Sequence, residues 1–226
     1  MNTSNRRRLF NIEEYHKLGD LGILNRRGYE LLNGIVWDNR DDSGEPAPKR
    51  FTTEEYSKMG KAGILPERGV ELIEGEIINT MSPIGSKHLA STNRINRFFT
   101  KLLDEAAIVS IQNPVVLNEN SEPEADVAIL KPRDDFYENK KPEAADTFFI
   151  IEVSDSTYQY DVEVKLPMYA KAGIEEAWII NLKKKQIEIY KNVKDSLYRS
   201  KDIYLTGEEI KLTAFDKYIN ASKLLE

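Results

Sequence analysis

Short apolar runs alternate with polar stretches along the chain, and they predict its strands. β-Branched runs of about four to eight residues, bounded by polar segments, are typical of buried strands. Two of these runs, 125–130 (ADVAIL) and 148–153 (FFIIEV), each contain one acidic residue, Asp126 and Glu152. A carboxylate in a buried strand loses its hydration, which is unfavourable unless a cation or hydrogen-bond donors compensate. The two acids are therefore candidates for a shared functional site.

Predicted helices separate the strands in the middle of the chain. Apolar residues at helical spacing predict one helix over about 86–105 and another over about 159–171, which ends before Gly173. Further strands are predicted over 107–117, 176–181 and 186–190, with a hairpin turn at 183–185 and a last small helix over 214–225. This alternation predicts an α/β domain with a mixed β-sheet flanked by helices.

A tandem repeat occupies the first third of the chain. Residues 13–15 (EEY) recur as 54–56, and ten further positions match at the same offset of 41 residues without a gap. Each copy predicts a short helix, a Gly turn and a strand that ends in a second Gly turn. The polar segment between the copies predicts a linker. We therefore divide the chain into a duplicated N-terminal helix–turn–strand unit (1–38), a linker (39–50) and a main domain (51–226).

The composition is that of an ordinary globular protein of 226 residues, 40% hydrophobic and 31% charged. The absence of Cys excludes disulfides, thiolate zinc sites and cysteine nucleophiles, and it fits a reducing cytoplasm. No apolar run approaches the roughly 20 residues that span a bilayer, and the basic start of the chain lacks the apolar stretch of a secretory signal. We expect a cytoplasmic protein without a membrane segment.

The helix after the Glu152 strand adds a lysine to the two acids. Asp161, Lys165 and Tyr169 are spaced by four residues and so share one helix face. Phosphodiester cleavage needs an activated water and charge stabilisation on the phosphate, which a divalent ion held by one or two carboxylates supplies. A neighbouring lysine can orient the water or stabilise the developing charge. Oxygen-only ligation favours Mg²⁺ or Mn²⁺ over zinc.

These residues resemble the PD-(D/E)XK nuclease superfamily, which has the restriction endonuclease-like fold, and more narrowly the bacterial restriction endonuclease-like family also called Uma-two. The resemblance covers about 51–226. Its matching pieces are 70–76 (VELIEGE), 81–83 (MSP) with His88, 122–128 (EPEADVA), 151–154 (IEVS), Asp161, Lys165, Tyr169, Gly173 and 177–179 (AWI). Their order and spacing make the match specific, and it implies a restriction endonuclease-like core to which the N-terminal copy is appended.

The resemblance assigns roles to four residues. Asp126 corresponds to the aspartate of the PD element, and Glu152 corresponds to the first acid of the (D/E)XK element. The lysine position of that element is Ser154 here, so the resemblance makes Lys165, on the next helix, the catalytic candidate. Glu71 matches an early family glutamate, which implies either a further metal ligand or an acid that contacts the ligands. The proline expected directly before the aspartate is displaced to position 123.

Each candidate also has a structural interpretation. Asp126 could cap a loop, and Glu152 could pair with Lys165 as a bridge. Glu71 has a counterpart, Glu30, in the first copy, which lacks the downstream acids, and this favours a local role for the motif. The secondary candidates are Asp161 as a helix-pair residue, Tyr169 as a packing residue and His88 as a helix-start residue. A basic stripe on the first long helix, Arg94, Arg97 and Lys101, is either solvated or in contact with DNA.

Two functions remain open from the sequence. The first is a Mg²⁺- or Mn²⁺-dependent endodeoxyribonuclease that acts on DNA, expected to pair as a homodimer. The second is a catalytically silent nuclease-fold protein that serves as a binding or assembly module. The complete set of Asp126, Glu152 and Lys165 favours the first. The net charge of −6 favours the second, because phosphate binding is strengthened by a basic surface.

Overall fold

The strands that carry Asp126 and Glu152 lie side by side near the centre of a six-stranded sheet. The structure is a computed structural model that describes residues 6–24, 27–39, 45–80 and 85–226. It divides into two compact units, which are described separately. The sheet unit comprises the described residues of 83–117 and 123–226, and the repeat unit comprises those of 2–82 and 118–122.

The large sheet of the sheet unit is mixed, as predicted. Its six strands lie in the sheet in the order in which they follow in the chain, and only the pair Thr147–Ser154 and Ala177–Asn181 is parallel. A parallel pair needs a crossover connection, which the helical segment 158–171 supplies here. The strands are β6 (Ile108–Pro114), β7 (Glu124–Leu130), β8 (Thr147–Ser154), β9 (Ala177–Asn181), β10 (Gln186–Lys194) and β11 (Leu197–Tyr204).

Helices cover both faces of this sheet. On one face, α3 (Ser86–Leu103) buries Ile95 and Phe99 against a core that includes Trp178. On the other face, the segment 158–171 buries Tyr169 against β8 and β9. Among the described residues, no helix is both long and apolar enough to cross a membrane. The α/β class with a mixed sheet between helices is thus confirmed.

The second helical segment is interrupted by a wider turn. It consists of α4 (Tyr158–Tyr160), a π-helical turn (Asp161–Lys165) and α5 (Leu166–Lys171). Pro167 follows the wide turn. Its backbone nitrogen has no hydrogen to donate, and in an α-helix its ring would clash with the carbonyl group four residues earlier, so a regular α-helix is unfavourable here. The predicted helix over 159–171 is therefore present, but five of its residues form a π-helical turn instead of α-helix.

The C-terminal segment differs more strongly from the prediction. Instead of a helix over 214–225, the chain forms a hairpin of β12 (Glu209–Leu212) and β13 (Lys217–Asn220), followed by the short α6 (Ser222–Leu225). Asp216 has a left-handed backbone, with φ 47° and ψ 42°, and a helix cannot continue through that conformation. The apolar residues instead alternate along strands and join the core below α3.

The repeat unit contains both copies, each as a helix followed by a hairpin. The first copy, copy 1, has α1 (Ile12–Asp20), β1 (Tyr29–Leu32) and β2 (Ile35–Asp38). The second copy, copy 2, has α2 (Thr53–Lys61), β4 (Val70–Ile73) and β5 (Glu76–Asn79). A capping box begins each helix, through Asn11 with Glu14 and through Thr52 with Glu55.

Part of the predicted linker is ordered as a strand. Within the predicted linker, the short β3 (Ala47–Pro48) pairs with β2. Residues 40–44 of the linker lie outside the described residues. The sequence-based boundary at residue 51 follows the family resemblance, whereas the compact units place both copies together.

Gly75 and Gly63 offer a matched pair for a stability measurement. Both have a left-handed backbone, with φ +79° and +69°. A methyl group at Gly75 would lie 2.8 Å from Cβ of Arg50, whereas one at Gly63 would meet nothing within 4 Å. Each Ala substitution is expected to cost about 1 kcal/mol for the backbone conformation, and Gly75→Ala a further ~1–3 kcal/mol for the clash. Urea unfolding measures both, and equal losses would contradict the close approach.

Candidate functional site

Asp126 and Glu152 face each other on neighbouring strands. Val127 of β7 pairs with Ile151 of β8 in an antiparallel register, so the residues one step further, Asp126 and Glu152, stand opposite each other. Side chains at opposite positions of antiparallel strands lie on the same face, with Cβ atoms about 4.5–5.5 Å apart. The two acids singled out by the sequence are thus brought together on the face that the segment 158–171 covers.

Asp126 is held in its ionised form by hydrogen bonds. Its Oδ2 accepts a bond of 2.8 Å from the backbone N–H of Val153 and lies 3.0 Å from Nε2 of His88. Burial acts to raise the pKa of Asp126, but the hydrogen bond and charge of His88, together with the charge of Lys165, outweigh it and lower the pKa below its usual value. Asp126 is therefore an anion at neutral pH.

Glu152 is more deeply buried, with 2% of the residue exposed. Its Oε1 accepts a hydrogen bond from the hydroxyl of Tyr169 and lies 3.2 Å from Nζ of Lys165. Burial raises the pKa of Glu152 well above its usual value, although the charge of Lys165 opposes the shift. The negative charges of Asp126 and Asp161 raise it further. A second cation beside Glu152 would therefore favour its ionised form.

Lys165 is directed from the helical segment toward the strand ends, as the sequence predicts. It is the last residue of the π-helical turn, and it is 7% exposed. Its Nζ donates a 2.7 Å hydrogen bond to the backbone carbonyl of Glu124, at the start of β7, and pairs with Glu152 on β8. The ammonium group is thus fixed beside the ends of both acid-bearing strands.

Asp161 anchors the helical segment to β8. Its Oδ2 accepts hydrogen bonds of 2.6 Å from the Ser154 hydroxyl and 2.8 Å from the Thr157 hydroxyl. Burial raises the pKa of Asp161 despite the opposing charge of Lys165 and these hydrogen bonds. Ser154, which replaces the lysine of the family element, therefore positions the turn that carries Lys165. The sequence reasoning did not identify this role of Ser154 or Thr157.

The secondary candidates His88 and Tyr169 both contact the acids. His88 is the third residue of α3, which agrees with a helix-start position, and its hydrogen bond to Asp126 raises its pKa although burial opposes this. Its Nδ1 is buried without a hydrogen-bond partner among the described residues. Tyr169 is fully buried in the core and also donates its hydroxyl to Glu152. His88 therefore does more than begin a helix, and Tyr169 does more than pack in the core.

Two further predictions concern Glu71 and the basic stripe of α3. Glu71 is on β4 of the repeat unit and is 4% exposed, whereas its counterpart Glu30 in copy 1 is exposed. The two glutamates thus differ in environment, and the role of Glu71 as a metal ligand stays a prediction. In the basic stripe, Arg97 and Lys101 are exposed on α3 and Arg94 is partly buried.

The donor set suits one kind of metal ion. Among the residues the structure describes, no group of three or more His, Asp or Glu side chains is arranged as a metal-binding cluster. Mg²⁺, however, is bound through one or two carboxylates, with waters and substrate phosphates completing its shell. Asp126 and Glu152 provide two carboxylates on one face, and Glu152 is destabilised as an anion by burial. The pair therefore fits a hard divalent cation of this type.

The mixed sheet between helices has the architecture of a restriction endonuclease-like protein, and it carries the two acids on adjacent strands. The model of the Uma2 family, described as "Putative restriction endonuclease", matches residues 53–219. The chain belongs to this family, as the sequence predicted, and copy 1 lies outside the matched range. A comparison with curated proteins found no match.

A solved structure is similar to this chain over most of its length. It is described as a putative nuclease belonging to DUF820 from Anabaena variabilis, and it shares 18% identity with a TM-score of 0.59. The match covers 77% of this chain and 97% of the other. At this identity the similarity supports the fold, and the nuclease assignment of the present chain comes from its family.

Proposed function

We propose that the protein is a metal-dependent endodeoxyribonuclease that hydrolyses phosphodiester bonds of DNA. The observation that carries the proposal is the contact of Lys165 with Glu152, beside Asp126 on the neighbouring strand. A structural ion pair needs one acid, and a second carboxylate placed next to it is unfavourable by itself. A divalent cation bound by both acids would offset the repulsion between the two carboxylates.

Asp126 and Glu152 would hold Mg²⁺ or Mn²⁺ through their carboxylate oxygens. The ion supplies an activated water and neutralises charge on the phosphate. His88 keeps Asp126 ionised and oriented through its hydrogen bond, and Tyr169 orients Glu152. Because the pKa of Glu152 is raised, metal binding would displace protons, and the affinity for the ion should increase with pH.

Lys165 would act on the scissile phosphate. Its ammonium group is fixed by Glu152 and by the carbonyl of Glu124, so little reorganisation is needed when negative charge develops on the phosphoryl oxygens. Asp161 does not face the phosphate in this scheme. It positions the π-helical turn through Ser154 and Thr157, which makes it a positioning residue.

DNA as the substrate is supported by the family and by the exposed basic residues of α3. The net charge of −6 disfavours tight binding of a polyanion over the whole surface. We therefore expect DNA binding to depend on the bound cation and on the basic stripe. The alternative, a silent nuclease-fold binding module, would keep metal binding and the fold but would not cleave DNA.

Metal binding by Asp126 can be measured separately from catalysis. Titration calorimetry with Mg²⁺ and Mn²⁺ is expected to show binding to the wild type and at least about tenfold weaker binding to Asp126→Ala, since a ligand is lost. Glu163→Ala is the control, because Glu163 is an exposed acid on the helical segment that carries Lys165 and is not one of the proposed ligands. Unchanged affinity in Asp126→Ala would contradict the proposed metal site.

A further inference from the structure

The two copies of the repeat unit contact each other reciprocally. The backbone N–H of Arg8 in copy 1 donates to the carbonyl of Ile77 in copy 2, at 2.8 Å. The N–H of Lys49, in the extended segment that leads into copy 2, donates to the carbonyl of Val36 in copy 1, also at 2.8 Å. Arg8 corresponds to Lys49, and Val36 corresponds to Ile77, at the repeat offset of 41 residues. Each contact is thus the counterpart of the other.

A second pair of contacts obeys the same rule. Arg7 forms an antiparallel bridge with Ile78, and Pro48 pairs with Trp37. These positions are also equivalent at the repeat offset. The extended segment before each helix therefore pairs with the hairpin of the other copy.

Phe10 and Phe51 locate the axis that relates the two copies. They are equivalent residues, and their rings contact each other with centroids 5.7 Å apart. Together with the reciprocal backbone contacts, this contact between equivalent residues indicates that a two-fold axis passes near the two rings. Residues that face this axis from both copies share one core, which contains the equivalent pairs Leu18 and Met59, Ile23 and Ile64, and Val36 and Ile77.

Each copy also repeats its own internal contacts. The hydroxyl of Tyr15 donates to the carbonyl of Tyr29, and that of Tyr56 donates to the carbonyl of Val70, both at 2.9 Å. The copies are therefore two versions of one fold with one mutual interface. Reciprocal contact, in which residue i meets j and j meets i, is the property of an isologous dimer interface, whereas stacked tandem repeats contact head to tail.

We infer that copy 1 occupies, within the chain, the surface through which copy 2 would pair with copy 2 of a second chain. The interface is that of a homodimer, and the duplication has made it intramolecular. The family match begins at residue 53 and so includes copy 2 alone. The homodimer expected from the sequence would consequently need a different surface in the intact chain.

One ion pair favours copy 1 over a second copy 2 as the occupant. Arg7 of copy 1 binds Glu76 of copy 2, with Nη2 and Oε1 at 2.6 Å. In a pairing of two copies 2, position 48 would face Glu76, and that residue is Pro48. Arg50 also binds Glu76, at 2.7 Å, so such a pairing would keep one guanidinium partner of Glu76 and lose the other. The lost ion pair favours the intramolecular arrangement over a pairing of two copies 2.

Cysteine cross-linking tests the occupancy directly, because the chain contains no native Cys. The full-length Phe51→Cys variant should not cross-link between chains under mild oxidation, since Phe10 covers that position. The variant Phe10→Asp is designed to displace copy 1. When it is combined with Phe51→Cys, the cysteine should form an interchain disulfide. Phe10→Asp alone, without the cysteine, should show a doubled molar mass in light scattering. Adding Met59→Asp, which disrupts the core of copy 2, should abolish both effects.

A second variant distinguishes displacement of copy 1 from misfolding of the chain. Arg7→Glu, placed opposite Glu76, repels copy 1 without altering either core, and it should raise the yield of the interchain disulfide at position 51 above that of Phe51→Cys alone. In the otherwise wild-type chain, Phe10→Cys with Phe51→Cys should give an intrachain disulfide at monomer mass. Interchain disulfides in that double variant would overturn the inference. The absence of a dimer in both variants that displace copy 1, Phe10→Asp and Arg7→Glu, would overturn it as well.

Discussion

Replacing Lys165 with Met is expected to abolish detectable DNA cleavage while the protein stays folded. The ammonium group is held between Glu152 and the Glu124 carbonyl, where it can act on the charge that develops on the phosphate. Removal of one preorganised electrostatic group lowers turnover by about 10²–10³-fold. The fold should survive because the pKa of Glu152 is already raised, and without the lysine this carboxyl group can be buried in its neutral form.

Lys171→Met is the matched control, because Lys171 is an exposed residue at the end of the same helical segment. Nicking of a supercoiled plasmid in Mg²⁺ measures activity, and urea unfolding measures stability for both variants. Wild-type activity is expected in the control. Turnover of Lys165→Met within a few-fold of the wild type would show that the lysine is only a structural partner of Glu152.

Replacing Glu188 with Ala is expected to lower the free energy of unfolding by about 1–3 kcal/mol. Glu188 on β10 is fully buried and forms a 2.6 Å ion pair with Lys201. Its carboxylate also accepts hydrogen bonds from Tyr158, Tyr190 and Gln186. Removal of the carboxylate leaves these donors and the ammonium group of Lys201 without their common acceptor.

The same carboxylate should make stability depend on acid pH. Burial acts to raise the pKa of Glu188, but the ion pair and hydrogen bonds outweigh it and lower the pKa from 4.5 to about 2. A lowered folded-state pKa stabilises the protein above the unfolded-state value, and this contribution is lost as the pH falls from about 4.5 toward 2. Glu188→Gln removes the titration and keeps the shape of the side chain.

Urea unfolding at pH 7 and at pH 3 compares the wild type with Glu188→Gln. The variant should be less stable at pH 7, and the difference should narrow at pH 3, because the wild type loses part of its advantage there. A difference that is the same at both pH values would contradict the lowered pKa of Glu188.

The strands that carry the acids were predictable because their signal is local. β-Branched runs with a single carboxylate identify both the strand and its exceptional residue, as at Asp126 and Glu152. The direction of Lys165 also followed from its distance along the helix after β8. That Asp126 and Glu152 stand opposite each other depends on the register between two strands, for which the family resemblance was the only guide in the sequence.

Other features depend on contacts between residues that are distant in sequence. Gln186, Glu188 and Tyr190 alternate with isoleucines, a pattern typical of a strand with one solvated face. The helical segment 158–171 covers that face instead, and Tyr158 makes Glu188 part of a buried cluster. Ser154 was read as a departure from the family element, and only the structure shows that it holds Asp161.

The sequence pattern gave a wrong prediction where the same spacing of apolar residues is compatible with both a helix and a hairpin. The spacing of apolar residues in 214–225 suits a helix, but the left-handed backbone at Asp216 ends any helix there, and Ile219 instead pairs with Ile210 across a hairpin. In the repeat unit, the sequence revealed the two copies but not their reciprocal pairing. That pairing requires knowledge of which surface of each copy faces the other.

The proposed nuclease activity is tested most directly by cleavage of a supercoiled plasmid under single-turnover conditions, with the wild type and Glu152→Gln compared in Mg²⁺, in Mn²⁺ and in EDTA. If the protein is a metal-dependent endonuclease, the wild type should produce nicked and linear DNA in either metal and no cleavage products in EDTA. Glu152→Gln should produce no cleavage products, because it cannot provide the second carboxylate. Cleavage by Glu152→Gln at the wild-type rate, or no cleavage by the wild type in either metal, would contradict the assignment of Asp126, Glu152 and Lys165 as a nuclease site.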